Sequence, residues 1–235
     1  MRNALLFLSL LFGVNMIFAQ AAPVSNAIGS ILPDSIFARL FPSSTLDDLG
    51  VSFPVFRTYC FTDKGGTYYL LLTENQVGAA QEINDSIRAF CFKTANNTYT
   101  LERTLGDFIL PKGNEFSEEF GIWFWTKYTK LEDMDDDGLA DVVLAYGTNG
   151  INNLGDGRIK IMVYYQGKKL FIRHQNGELD FERNTQVDAG FYELPDSIQM
   201  ATIQIMEEMT TNQHAIFPFG WQTAMKQHKT YFDER

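Results

Sequence analysis

Asp133-Met-Asp-Asp-Asp-Gly-Leu-Ala-Asp141 is the stretch whose reading decides the rest of the chain. Asp133, Asp135 and Asp137 alternate, Gly138 stands sixth, and Asp141 stands ninth. A calcium ion takes six to eight oxygens, and acids at positions 1, 3 and 5 of a curling loop point inward around it. Glycine at the sixth position allows the sharp turn, the main-chain carbonyl of Leu139 falls at the seventh, and Asp141 ligates at the ninth. The twelfth position of an EF-hand requires a bidentate Glu; here it is Leu144, and Asp141-Val-Val-Leu-Ala-Tyr146 has the apolar, β-branched character of a strand. The spacing therefore predicts a calcium loop between two strands, with Asp133, Asp135, Asp137, Leu139 and Asp141 as ligands. The bland alternative is an acidic turn whose carboxylates face water. Nothing beside the loop supplies a nucleophile or a base, so the expected ion is structural.

Outward from the loop, strand and turn signals alternate. Pro54–Thr62 and Thr67–Thr73 flank Asp63-Lys-Gly-Gly66, Arg88–Lys93 and Tyr99–Arg103 flank Ala95-Asn-Asn97, and Arg158–Tyr165 and Lys169–His174 flank Gln166-Gly-Lys168. Each reads as a β-hairpin. Gly121–Leu131 leads into the acidic loop, Gln76–Asn84 reads as a loop or short helix, and Gly106–Phe120 as irregular. Pro195-Asp-Ser197 opens a helix over Asp196–Thr211 with Ile198, Ala201, Ile205, Met206 and Met209 as its core stripe, and Gln222–Lys229 suggests a last short helix. The fold class expected is mainly β (α+β): an antiparallel β-sandwich or propeller-like sheet with the C-terminal helix packed on it. The acidic loop occurs once, which argues against a propeller built from such units.

The N-terminus sets the compartment. Arg2 precedes the apolar run Ala4–Phe18 and the small residue Ala19, the layout of a secretory signal peptide over residues 1–19. Residues 20–50 then read as an N-terminal arm, with a helix near Ser35–Phe41, and residues 51–235 as one β-rich domain. The chain is expected to be exported, to the periplasm, the cell surface or beyond, with no membrane insertion after signal cleavage. The formal charge of −10 and pI near 4.7 argue against nucleic acid, whose phosphates need a basic patch. In an oxidising compartment Cys60 and Cys91 could pair, a cross-link worth ~3–4 kcal/mol; they fit equally well as two buried thiols.

Other constellations carry less. His174, His214 and His228 have no metal spacing. Glu178, Asp180 and Glu182 alternate as if along one solvent-facing strand. Asp-Ser-Ile occurs at Asp34, Asp85 and Asp196, where Asp or Ser suits capping of free amides; the triplet also resembles an O-glycosylation acceptor of exported Bacteroidota proteins, with Ser35, Ser86 and Ser197 as candidates. The polar connection Gly147–Gly157, with Trp123, Trp125 and Tyr146 near in sequence, suits a sugar: amides and carboxylates for hydroxyls, flat rings for stacking. A plain long loop is the alternative.

Two resemblances follow from these residues. Leu131–Leu144 resembles the calcium hairpin of FG-GAP/VCBS-type repeats. Tyr59-Cys-Phe-Thr-Asp63, Tyr68–Glu74, the acidic loop and Ala140–Tyr146 together resemble a family of exported Bacteroidota proteins of surface polysaccharide biosynthesis, over roughly Val51 to Met162. That resemblance implies a part in making or displaying cell-surface glycans, with surface glycan or envelope proteins as partners. It names no reaction and brings no catalytic residues. A hydrolase or transferase using Asp180 or Glu182, and an adhesion module, are the alternatives.

Overall fold

The computed structural model describes residues 28–78, 83–110 and 118–234; the signal-peptide reading of residues 1–19 lies outside them. Twelve strands and four helices follow in order: β1 (Gly29–Ile31), α1 (Asp34–Leu40), α2 (Ser43–Asp48), β2 (Val55–Asp63), β3 (Gly66–Val77), β4 (Ile83–Ala95), β5 (Thr98–Phe108), β6 (Gly121–Phe124), β7 (Lys130–Glu132), β8 (Asp141–Asn149), β9 (Arg158–Tyr165), β10 (Lys168–Gln175), β11 (Asn184–Val187), α3 (Asp196–Thr211), α4 (Trp221–Lys226) and β12 (Tyr231–Asp233). They form two antiparallel sheets, β1-β2-β3-β4-β5 and β12-β11-β10-β9-β8-β6, with β7 also on β8. The architecture is a β-sandwich with helices outside, and not a propeller.

Three apolar layers hold it. Between the sheets lie Phe61, Leu70, Leu72, Ile87 and Cys91 from one side and Ile122, Phe124, Val142, Leu144 and Tyr146 from the other. The outer face of the larger sheet packs Val143, Ala145, Ile159, Ile161 and Val163 against Ile198, Ile205, Met206 and Met209 of α3 and Trp221 and Met225 of α4. The outer face of the smaller sheet packs Leu71, Phe90 and Phe92 under Phe41, Val51 and the partly buried Phe37 and Leu46. The described part of the N-terminal arm thus both covers a face and adds β1 to the edge strand β2. Successive residues of β8 serve opposite layers, so its run is apolar without alternation.

The three expected hairpins are present. Asn96 and Asn97 have φ of 52° and 61°, and Gln166 and Gly167 of 43° and 84°, the left-handed pair that matches strand twist in a two-residue turn. Helix α3 spans the expected residues, but its stripe buries Thr202 rather than Ala201; the Thr202 hydroxyl donates to the carbonyl of Ile198 at 2.8 Å.

Several expectations are corrected. Gln76 and Asn84 are strand residues, because Asn75 donates to Asp85 (2.8 Å) and Asn84 to Glu74 (2.7 Å) across the pair. The lead-in Gly121–Leu131 is divided: β6 and β7 both pair with β8, and a 3-10 turn at Thr126–Tyr128 is inserted between them. Gly147–Asn149 belongs to β8, and Glu178, Asp180 and Glu182 line no strand. Asp180–Glu182 is a 3-10 turn in which Glu182 accepts the amide of Leu179 at 3.0 Å and Asp180 pairs with Arg183 at 2.8 Å. Helices α1 and α3 begin at Pro33 and Pro195 without a side-chain cap; Asp34 and Asp196 sit instead in the first turn, where a negative charge suits the helix dipole. Asp85 and Ser86 lie within β4, the Ser86 hydroxyl donating to Asp85 at 2.6 Å.

The cysteine question is settled by register. Cys60 pairs with Tyr69, and Cys91 with Leu70, the next residue of β3. The two thiols therefore stand on opposite faces of the sheet with a strand between them, beyond the reach of a disulfide. Both are free.

Candidate functional site: an acidic loop and an aromatic cleft

The acidic loop closes the β7–β8 hairpin, with Glu132 opposite Asp141. Its turn depends on Asp136 and Gly138, at φ of 59° and 84°. Asp133, Asp135 and Asp141 each offer one oxygen to a common point, all within 4.8 Å of one another. The loop's own amides hold them: Asp133 accepts Gly138 N (2.9 Å), Asp135 accepts Asp137 N (3.2 Å), and Asp141 accepts Met134 N (2.8 Å). Tyr165, at the end of β9, donates its hydroxyl to Asp135 at 2.9 Å, a bond that pushes the phenol up to about 12.

Two further residues, Asp137 and Leu139, are expected as ligands. Asp137 accepts Leu139 N at 2.7 Å and Gln166 Nε2 at 3.1 Å and stands outside the group of three. Leu139 is 37% exposed. Asp141 is buried, and that burial, opposed by the Met134 amide and aided by the Asp135, Asp137 and Asp133 charges, lifts its carboxyl to about 7. An all-oxygen group of three carboxylates is the donor chemistry of a hard divalent cation.

Sequence spacing gave no sign of what lies over the loop. The β2–β3 turn docks on it: Lys64 N donates to Gly138 O at 2.9 Å, Lys64 Nζ to Asp137 O at 2.7 Å, and Ala140 N to Asp63 at 3.0 Å. Asp63 also accepts Gly65 N and Gly66 N at 2.6 and 3.1 Å. A turn of the smaller sheet is therefore joined to the acidic loop of the larger one.

The 3-10 insertion builds the second feature. Thr126, Lys127 and Tyr128 line, with Trp123, Trp125, Leu154 and His214, a cleft of about 260 Å³ in which Trp125 and Tyr128 are themselves buried. Tyr128 stacks edge-on to His214, with ring centroids 5.7 Å apart. Its hydroxyl meets His214 Nδ1 at 2.8 Å and accepts Asn212 Nδ2 at 3.0 Å. Burial, and the charge of Lys127, hold His214 below the usual imidazole range. Gly147 is required here: a Cβ would meet the Trp125 ring and Arg158 O, each at 2.7 Å.

The sequence reading brought Trp123, Trp125, Tyr146 and the Gly147–Gly157 connection together. Trp123 and Trp125 do meet Leu154 of that connection. Tyr146 does not join them, since strand parity sends it between the sheets, T-shaped against Phe124. Tyr128 and His214 take its place.

Comparison with family models, curated proteins and solved structures finds no match.

The remaining histidines, His174 and His228, lie outside this cleft. His174 is 3% exposed, with Nδ1 2.9 Å from the Thr185 hydroxyl and Nε2 2.8 Å from Asn176 Oδ1. Asn176 is tied down in turn, accepting Ile216 N and donating to Leu154 O and His214 O. His228 stacks on Tyr192 at 4.7 Å. Among the described residues no helix is long and apolar enough to cross a membrane.

Proposed function

We propose that this chain is an exported, calcium-stabilised β-sandwich module that takes part in surface-polysaccharide assembly by binding glycan. The observation that carries the reading is the aromatic cleft, where the partly exposed Trp123 indole lies with the buried Trp125 and Tyr128 and Thr126, Lys127 and His214 add polar groups. Flat aromatic faces suit the C–H faces of a sugar ring, and a few placed polar groups fix its orientation. The acidic loop supports calcium: Asp133, Asp135 and Asp141 converge, and without a cation their charges oppose one another.

Two experiments test this. Trp123→Ala is measured against the wild type for binding to the surface polysaccharide of the producing cell, and the gene is deleted. A wild type without affinity, together with an unchanged polysaccharide after deletion, ends the glycan reading. For the metal, purified protein is melted with calcium and with chelator, beside Asp135→Ala. Calcium at a hundred times its dissociation constant adds ~2.7 kcal/mol, a rise of several degrees that the variant should lose. No calcium-dependent rise in the wild type leaves the loop a solvated acidic turn.

A further inference from the structure

The larger sheet is wider than the smaller one. Its residues in the inter-sheet core come from β6, β7, β8 and β9, joined by partly buried Phe171 on β10, and none come from β11 or β12. The inner face of β10–β12 therefore runs out beyond β5, the edge strand of the smaller sheet.

Cross-strand pairing sets two rows on this face. The first is Lys160, Arg173, Gln186 and Tyr231; the second is Arg158, Gln175, Asn184 and Asp233. Six of these eight line a cleft of about 200 Å³ that has no carboxylate in its wall. In a chain of formal charge −10, this wall gathers three cations and three amides, each cation paired with a carboxylate. Arg158 is held by Glu119, Lys160 by Asp107 of the facing strand β5 at 2.6 Å, and Arg173 by Asp188 at 2.5 Å. Arg158 is fixed as structure by this buried pairing. Arg173 and Lys160 keep 39% and 24% of their side-chain surface, so a ligand can reach them. Tyr231, at the far end of the first row, is 48% exposed.

We propose that this face binds an acidic saccharide, with its carboxylate at Lys160 and Arg173, its hydroxyls on the Gln186 and Asn184 amides, and a ring on Tyr231. Four neighbouring strands at about 4.8 Å spacing span roughly 14 Å, room for a short oligosaccharide. The polarity of the rows fixes the direction, because Asp233, which accepts the Tyr231 hydroxyl at 3.1 Å, would repel a carboxylate placed at the other end. The chain's overall negative charge does not prevent binding, since charges beyond about 8 Å are screened at physiological salt. This site lies on the opposite face of the sheet from the aromatic cleft and goes beyond the glycan reading given above.

The test is calorimetric titration of the purified protein with an oligogalacturonate, its methyl ester and inorganic phosphate, at low and physiological salt. The oligogalacturonate should bind, weaken with salt, and weaken roughly ten- to a hundredfold in Arg173→Gln, the loss expected of one hydrogen bond to a charged group. Methyl esterification should cost a similar factor. Tyr231→Ala should weaken acid and ester alike without touching the charge, and a circular-dichroism melt of each variant reports folding. Trp123→Ala should leave uronate affinity unchanged, so this proposal and the aromatic-cleft reading can fail separately. Absence of uronate binding by the folded wild type overturns it. So does equal affinity in Arg173→Gln, loss of uronate binding in Trp123→Ala, or phosphate binding as tightly as the oligosaccharide.

Discussion

Lys64 Nζ donates to the main-chain oxygen of Asp137 at 2.7 Å, so a cation of the smaller sheet rests on the acidic loop of the larger one. It lies over Gly138 closely enough that a Cβ there would stand 2.1 Å from Lys64 Cε. Glycine at the sixth loop position thus has two causes, the positive φ expected from the turn and the side chain laid across it.

Those two causes can be separated. Gly138→Ala should cost about 1 kcal/mol for the left-handed backbone, plus the displaced Lys64 contact. Lys64→Ala removes that contact alone and, as an exposed bond, should cost under about 1 kcal/mol. The double variant should then be less destabilised than the sum of the two. Urea unfolding of the four proteins checks it, and strict additivity would show that Lys64 moves aside without cost.

Asp63 is the deeper half of the same junction. Its carboxylate accepts Ala140 N from the loop and Gly65 N and Gly66 N from its own turn. Asp63→Ala strips all three amides of their acceptor and should destabilise by about 2 kcal/mol, more than Lys64→Ala. If the loop binds calcium, the Lys64→Ala change also removes a nearby positive charge and should raise calcium affinity a few-fold, by roughly 1 kcal/mol or less. Chelator competition with an indicator dye measures this, and weaker calcium binding in Lys64→Ala would refute the electrostatic account.

Hairpins were legible in the sequence because their turn chemistry is local: Asn96-Asn97 and Gln166-Gly167 adopt the left-handed pairs that their residue types allow. Helix α3 was legible for the same reason, from Pro195-Asp-Ser197 and a 3.6-residue stripe. What escaped was set by distant partners. The three-residue strands β1, β7 and β12 exist only by pairing with longer neighbours. Gly147 reads as a loop residue, yet it pairs with Trp123 and Ile159 within the sheet and is glycine because the Trp125 ring fills the place of its side chain. Tyr146 could not be assigned a face from Val142–Tyr146, since a strand buried on both sides shows no alternation. At the acidic loop the spacing located Asp133, Asp135 and Asp141 together, while Asp137 turned toward Gln166, a partner 29 residues away.

Burial of His174 predicts an acid limb in stability. Desolvation, against the opposing hydrogen bonds, lowers its imidazole from 6.5 to about 4. Above 6.5 the ring is neutral in both folded and unfolded chains and stability is complete. As pH falls below 6.5 the unfolded chain takes up a proton that the folded chain refuses, so stability drops until about pH 4, where both are charged. The full drop is on the order of 3 kcal/mol. His174→Gln should flatten this part of the urea-stability profile, and an unchanged slope between neutral pH and about pH 4.5 would mean the ring protonates in place.

The thiols give the sharpest chemical outcome. Burial pushes Cys91 up to about 11, against the pull of Arg103, and raises Cys60 as well. Both are therefore protonated and slow to react at neutral pH, because the thiolate is the reactive form. Protein purified without reductant, unfolded in guanidinium and treated with iodoacetamide should gain two carbamidomethyl groups by mass spectrometry. In the folded state Cys60, which is only partly buried, should be labelled before Cys91. Recovery of a Cys60–Cys91 cross-linked peptide would require β2 and β4 to abandon the register that β3 holds between them. That single result would overturn the sheet order on which the inter-sheet core depends.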